Sequence, residues 1–180
     1  MFKKMFSFTD EKKAAHKLYI ILVGQARQSS FYEKGGVSDT IEGRFDMIAL
    51  HAILLLRRMN LQPKETKKLS QALFDYMFDD FDLNLRENGI GDTGIGKRIK
   101  KMATGFYGRM AAYNEGLDSE DNQLLTAALA RNLYRDMIPS EKNLTEMANY
   151  MRRESANLED ISLETVINGD FQFGAPDANS

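Results

Sequence analysis

The 180 residues carry 24 Lys and Arg against 26 Asp and Glu, a net charge of −2, with 43% hydrophobic and 28% charged residues. That balance describes one globular domain with a sizeable core. It excludes a general affinity for nucleic acid, so any basic surface must be local. The absence of cysteine excludes disulfides, thiolate metal sites and cysteine nucleophiles.

The first eight residues, MFKKMFSF, mix Phe2, Met5, Phe6 and Phe8 with Lys3 and Lys4. They lack the apolar core and cleavage site of a secretory signal, and read as a flexible or membrane-surface segment. A first helix is expected over residues 9–27, with Leu18, Tyr19, Ile21, Leu22 and Val23 supplying apolar contacts. Residues 28–37, with Gly35-Gly36, read as a loop. Asp39 or Thr40 starts the second helix, Asp39 and Glu42 having the spacing of a capping box. Ile41, Phe45, Ile48, Ala52, Leu55, Leu56 and Met59 form its main stripe. Met47, Leu50 and Leu54 begin another face, with Arg44, His51 and Arg58 between. The strongest apolar run, residues 48–56, contains His51 and is too short to cross a bilayer, so a cytoplasmic protein is expected.

Pro63 and a basic run over residues 64–68 open the third helix, which leads into the stretch that organises the chain, residues 70–102. Leu69, Leu73, Tyr76, Met77 and Leu83 share one face, and Phe74, Phe78, Phe81 and Leu85 a second. A helix apolar on two sides belongs in the middle of a protein. A polar strip of Asp75, Asp79, Asp82 and Arg86 separates the faces. Asp80 falls inside the apolar face, where a carboxylate is costly unless paired. An arginine partner is expected, from Arg98 or Arg109, with Arg44 as the alternative. Gly89 suits the C′ position, and Gly91-Asp92-Thr93 a cap for the next helix.

The fourth helix carries Ile95, Ile99, Met102, Phe106, Met110 and Tyr113 on one stripe, with Lys97, Lys100 and Lys101 on its wet face. Gly105, Gly108 and Ala112 form a small-residue patch suited to close approach by another helix. Leu124, Leu125, Ala128, Leu129, Leu133 and Met137 suggest a fifth helix, stopped near Pro139. Ser140 caps a sixth, on which Arg152 and Arg153 should face solvent. One short turn over residues 162–167 precedes a loose tail. The reading is an all-α, single-domain irregular bundle of about six helices. Its divisions are an N-terminus of residues 1–8, a helical domain of residues 9–168 and a flexible tail of residues 169–180.

Chemical motifs fail on context. Gly89, Gly91 and Gly94 match G-x-G-x-x-G, and residues 91–97 match the start of a phosphate-binding loop. Both motifs need a preceding strand, whereas a long amphipathic helix precedes here. Arg98 also replaces the residue that would hold magnesium. Leu83 breaks the D-D-x-x-D pattern, and neither His16 nor His51 follows a Glu by three residues, as di-iron helices require. His51 reads as a satisfied core histidine rather than a ligand. No nucleophile has an evident base and orienting acid, so no catalytic, cofactor or metal site is expected.

The run LFDYMFDDFDLNLRENGIGD, then GIGKRIKKM and FYGR with Tyr113 beyond, resembles the ubiquinol–cytochrome c chaperone family. The upstream block from Asp39 to Asp46, followed by Leu50-His51, matches as well, so the resemblance covers roughly residues 18–134. Asn88 departs from it, standing where a larger apolar residue is expected. The resemblance implies a non-catalytic chaperone that receives newly made cytochrome b during assembly of respiratory complex III. In mitochondria, related proteins work with a smaller assembly partner near the ribosomal exit. Contact with the inner membrane would be peripheral, and no specific nucleic-acid sequence is implied. Arg44, His51, Asp79, Asp80, Asp82, Arg86, Lys97, Arg98, Lys100, Lys101 and Arg109 form the expected partner-binding or structural set. The ten methionines could supply an adaptable apolar surface, although each alone is better explained as core. The rival reading is a small-molecule or lipid-binding helical protein, perhaps an enzyme, with a cavity inside the bundle.

Overall fold

The structure, a computed structural model, describes residues 8–89, 91–135 and 137–176. Apart from the start of the first helix, the expected N-terminal segment lies outside the described residues, as do the side chains of Asp92 and Thr93. The described residues form eight helices and no strand: α1 (Phe8–Ala26), α2 (Ser30–Glu33), α3 (Ile41–Met59), α4 (Pro63–Glu87), α5 (Asp92–Asp118), α6 (Gln123–Asn132), α7 (Glu141–Asp160) and α8 (Leu163–Asn168). Six are the expected long helices. The additional short α2 occupies part of the expected loop, where Phe31 is buried against the rings of His51 and Tyr150.

The helix at the centre is α3 rather than α4. Of its 19 residues, 14 are buried, against 7 of 25 in α4. The run from Phe45 to Leu55 is apolar almost all round, as burial on every side requires. On α4 one apolar face is only partly used, and Leu83 stays exposed. The two helices do meet, with the Phe45 ring 4.4 Å from Phe81 and 5.9 Å from Phe78. α1 packs along α4, where Tyr76 lies 5.2 Å from the rings of both His16 and Tyr19.

Helix ends follow local chemistry. Thr40 caps α3 by accepting from Gly43 N at 3.1 Å, while Asp39 pairs instead with Arg44 at 2.6 Å. Gly89 has φ +79°, the left-handed conformation expected of a C′ residue. Asn88 just before it donates to Asn84 O at 2.8 Å, a use for a polar residue where an apolar one was expected. Ser140 caps α7 through Asn143 N. Gly91 occupies the N-cap position of α5 without a side-chain bond.

Three expectations fail. α6 stops at Asn132, well short of Pro139, and Met137 is exposed. Arg152 and Arg153 do not simply face solvent: Arg152 donates to the carbonyls of Gly116, Leu117 and Asp121 and to Asn122, closing the C-terminal end of α5, and Arg153 pairs with Glu154 and donates to Ala175 O. The tail, over residues 169–176, packs back on the bundle. Phe173 is buried with its ring 5.0 Å from His51, and Gly174 bonds Gln25 and Glu154.

The small-residue patch also works elsewhere. A Cβ added at Gly108 meets nothing within 4 Å, whereas one at Gly116 would stand 2.7 Å from Leu125 Cα. Close approach is thus between α5 and α6 at Gly116. Gly116→Val should cost roughly 1–3 kcal/mol, because it presses on backbone. Gly108→Ala should be neutral or stabilise by up to about 1 kcal/mol through helix propensity. Urea unfolding of the two variants would refute this if their order were reversed.

Candidate functional site

α5 separates two grooves. On one side, its Phe106, Tyr107 and Met110 face Phe74 of α4 and Leu56 of α3 across a groove of about 460 Å³. Phe74 and Tyr107 are stacked at 5.4 Å, and Phe106 meets Phe74 edge-on at 5.6 Å. Tyr107 is half exposed. Arg57, Lys67, Gln71 and Asn114 complete a polar rim. The sequence expected Phe106 and Met110 on the core stripe. Phe106 is fully buried, yet the i+1 position, Tyr107, turns the same aromatic cluster outward.

On the other side of α5, a groove of about 890 Å³ runs between the start of α3, α5 and Arg135. Lys97, Arg98, Lys100, Lys101 and Arg109 line it, with Phe45, Met102 and Gly105 as its apolar part. Arg98 pairs with Glu42. No acid among the described residues lies in ion-pair contact with Lys97, Lys100 or Lys101.

Beneath this groove lies a charge cluster that the sequence reading missed. Asp46 of α3 is 3% exposed; Arg109 Nη2 stands 2.9 Å from its Oδ1 and Arg135 Nη2 2.8 Å from its Oδ2. The Arg109 contact is an ion pair rather than an aligned hydrogen bond, and Arg109 Nε and Nη1 have no hydrogen-bond partner. The guanidinium also sits 5.6 Å from the Phe45 ring centroid, a cation–π placement. Burial first, then the Asp46 carboxylate, pushes the Tyr113 hydroxyl well above the usual phenol range, so it stays protonated. A sequence signal existed: Asp46 is the one acid in the run from Phe45 to Leu55, which is otherwise apolar but for His51.

The expected Asp80–arginine pair is therefore corrected. Asp80 is half-buried and accepts from Tyr19 Oη at 2.7 Å and from Asn84 Nδ2 at 3.0 Å. Each candidate arginine bonds elsewhere: Arg44 to Asp39, Arg98 to Glu42 and Arg109 to Asp46. The reason is register, since α1 rather than α5 covers the Asp80 face. Burial and the bond to Asp80 raise the Tyr19 phenol far above its ordinary value.

The other expected residues do not assemble into one site. Asp79 is exposed, and Asp82 forms an i,i+4 pair with Arg86 at 2.6 Å on the α4 surface. His51 lies in the core between α3 and α7, where Nδ1 meets Met47 O and Nε2 meets Tyr150 Oη, both at 2.7 Å. Among the described residues there is no cluster of three or more His, Cys, Asp or Glu able to hold a metal. The glycine turn after Gly89 follows helix α4, the context that argued against a phosphate-binding loop.

Comparison with known proteins gives concordant results. The Ubiquinol-cytochrome C chaperone family matches residues 33–173. The crystal structure of the Cbp3 homolog from Brucella abortus superposes with a TM-score of 0.83 at 37% identity, covering 94% of this chain and 93% of that one. The Ubiquinol-cytochrome-c reductase complex assembly factor 1 of Xenopus laevis is 26% identical over 87% of this chain and 78% of its own length. Protein CBP3, mitochondrial, of Saccharomyces cerevisiae is 28% identical over 81% of this chain, which spans 44% of the yeast protein.

Proposed function

Because the chain belongs to the ubiquinol-cytochrome C chaperone family, we propose that it is a non-catalytic assembly chaperone that receives newly made cytochrome b for the ubiquinol–cytochrome c reductase complex. The observation that carries the placement is the aromatic groove between α4 and α5. An apolar helix from a membrane protein docks in such a groove through side chains at i, i+3, i+4 and i+7. Phe74 and Tyr107 offer rigid contact area, and Met110 an adaptable thioether. Both large grooves open to solvent, which suits a polypeptide client better than a ligand sealed in the bundle. A second assembly factor and the ribosome belong to the same reading. Peripheral work at the membrane belongs to the same reading; no helix of the described residues is long and apolar enough to cross a membrane.

A photo-crosslinking residue at position 107, compared with one at exposed Lys13 on α1, tests the placement. An adduct with cytochrome b at 107 and none at 13 is expected. Equal adducts at both, or none at 107, would overturn it. Tyr107→Glu should lower co-purified cytochrome b roughly tenfold, the equivalent of about 1.4 kcal/mol, with unfolding unchanged. A lipid or cofactor co-purifying in place of the polypeptide would support the rival ligand-binding reading.

A further inference from the structure

The basic groove on the opposite face of α5 is not used by the client reading, and three observations bear on its occupant. First, among the described residues its lysines outnumber the acids beside them. Six cations, Lys97, Arg98, Lys100, Lys101, Arg109 and Arg135, line it, and the described acids paired with them are Glu42 and Asp46. In a chain of net charge −2 this is a local concentration of positive potential. Second, Arg109 is 8% exposed and lines the groove with Nε and Nη1 lacking hydrogen-bond partners. Gly105 lies beside that guanidinium, where a Cβ would stand 3.7 Å from Nη1.

Third, exposed apolar side chains follow Arg135 and precede Glu42 in the sequence. Met137 is half exposed and Ile138 fully exposed, two and three residues beyond Arg135, and Ile41 precedes Glu42. The groove itself contains Phe45 and Met102 among the basic residues. Nucleic acid would use the cations but leave Ile138 in water. An anionic membrane uses both, because basic groups meet phosphates while apolar side chains enter the acyl boundary.

We propose that the α3–α5–Arg135 groove binds the phosphate headgroup of an anionic phospholipid at a bilayer surface, with Met137 and Ile138 entering the lipid beside it. Lys97, Lys100 and Lys101 hold the phosphate layer by charge. Gly105 leaves room for one headgroup to settle toward Arg109. α5 then turns its cationic side to the membrane and its aromatic groove away from it. This site stands independently of the client groove, and its test uses no client.

The full chain is sedimented with vesicles of phosphatidylcholine alone, or with part of it replaced by phosphatidylglycerol. Binding is expected only to the anionic vesicles, and to weaken with salt. Replacing Lys97, Lys100 and Lys101 together by Gln should weaken partitioning on the order of a hundredfold, each lysine near such a surface contributing roughly fivefold. Circular dichroism should be unchanged, since all three are exposed. Gly105→Leu, which fills the groove and keeps every charge, should also weaken binding. Equal binding to both vesicle types, or no loss on triple substitution, would overturn the proposal. Unaltered binding by Gly105→Leu would overturn entry of the headgroup. RNA bound through the same lysines, without vesicle binding, would reassign the groove to nucleic acid.

Discussion

Asp46→Ala should destabilise the fold by about 3–5 kcal/mol, because it leaves a buried guanidinium uncompensated. The whole domain has about 5–15 kcal/mol in hand, so this single change brings it near unfolding. Arg109 bears most of the consequence. It is buried, already has two nitrogens without hydrogen-bond partners among the described residues, and is left with the Phe45 ring beside it once Asp46 is gone. Arg135 is more open and can turn to water. Asp80→Ala should cost only about 1 kcal/mol, the worth of the Tyr19 hydrogen bond at a half-buried site. Removing Asp46 and Arg109 together, as Asp46→Leu with Arg109→Met, should recover much of the loss, since a whole pair replaced by apolar groups is often tolerated. Urea titration of the single and double variants measures the coupling. An Asp46→Ala midpoint within error of the wild type would sink the argument.

The second large effect is a pH dependence centred on His51. The Met47 carbonyl can only accept, so His51 Nδ1 carries the ring proton and Nε2 accepts from Tyr150. The Tyr150 oxygen accepts in turn from Gln25, whose second amide hydrogen reaches Gly174 O at 2.8 Å. No place remains for a second ring proton, and the rings of Phe31 and Phe173 close the other sides. The charged groups nearest this network are Arg153, over the Tyr150 ring, and its partner Glu154. Burial, only partly opposed by the Met47 bond, lowers the His51 pKa from 6.5 to about 4. The unfolded chain therefore binds this proton more readily than the folded one. Stability from this group is intact above pH 6.5 and falls as pH drops toward 4, by about 3 kcal/mol in all. Carboxylates also contribute to acid unfolding, so the informative quantity is a difference. His51→Gln should be less stable at neutral pH yet lose less between pH 7 and 4 than the wild type. Equal losses would refute the assignment.

The sequence specified where helices form and which faces are apolar, because 3.6-residue stripes and caps are local properties. Thr40, Pro63, Gly89 and Ser140 mark ends that the structure keeps within a residue or two. What periodicity could not supply was the choice of neighbour. Arg109 was legible as an arginine bordering an apolar stripe, and a buried acid was expected to meet it. The acid proved to be Asp46, because α3 and not α4 lies beneath that part of α5. The short α2 and the early end of α6 escaped for a related reason. The burial of Phe31 and the exposure of Met137 depend on distant helices, not on the residues beside them. The family motifs were legible outright, being long, ordered and specific, but motifs do not say which groove takes a client.

The strap over residues 169–176 sets a schedule for this protein's own birth. The bond from Gln25 to Gly174 joins residues 149 apart in sequence. Glu154, 1% exposed, gains the Gly174 amide only through it, and Arg153 there reaches Ala175 O. At roughly 5–20 residues per second of synthesis, α1 waits on the order of ten seconds for the segment that fastens it to α7. Until residues 173–175 have left the ribosome, Glu154 lacks one of its two partners and the His51 ring lacks the cover of Phe173. Closure of the core therefore waits on the emergence of this strap. A chain shortened by a few residues before Phe173 keeps every long helix and loses the latch.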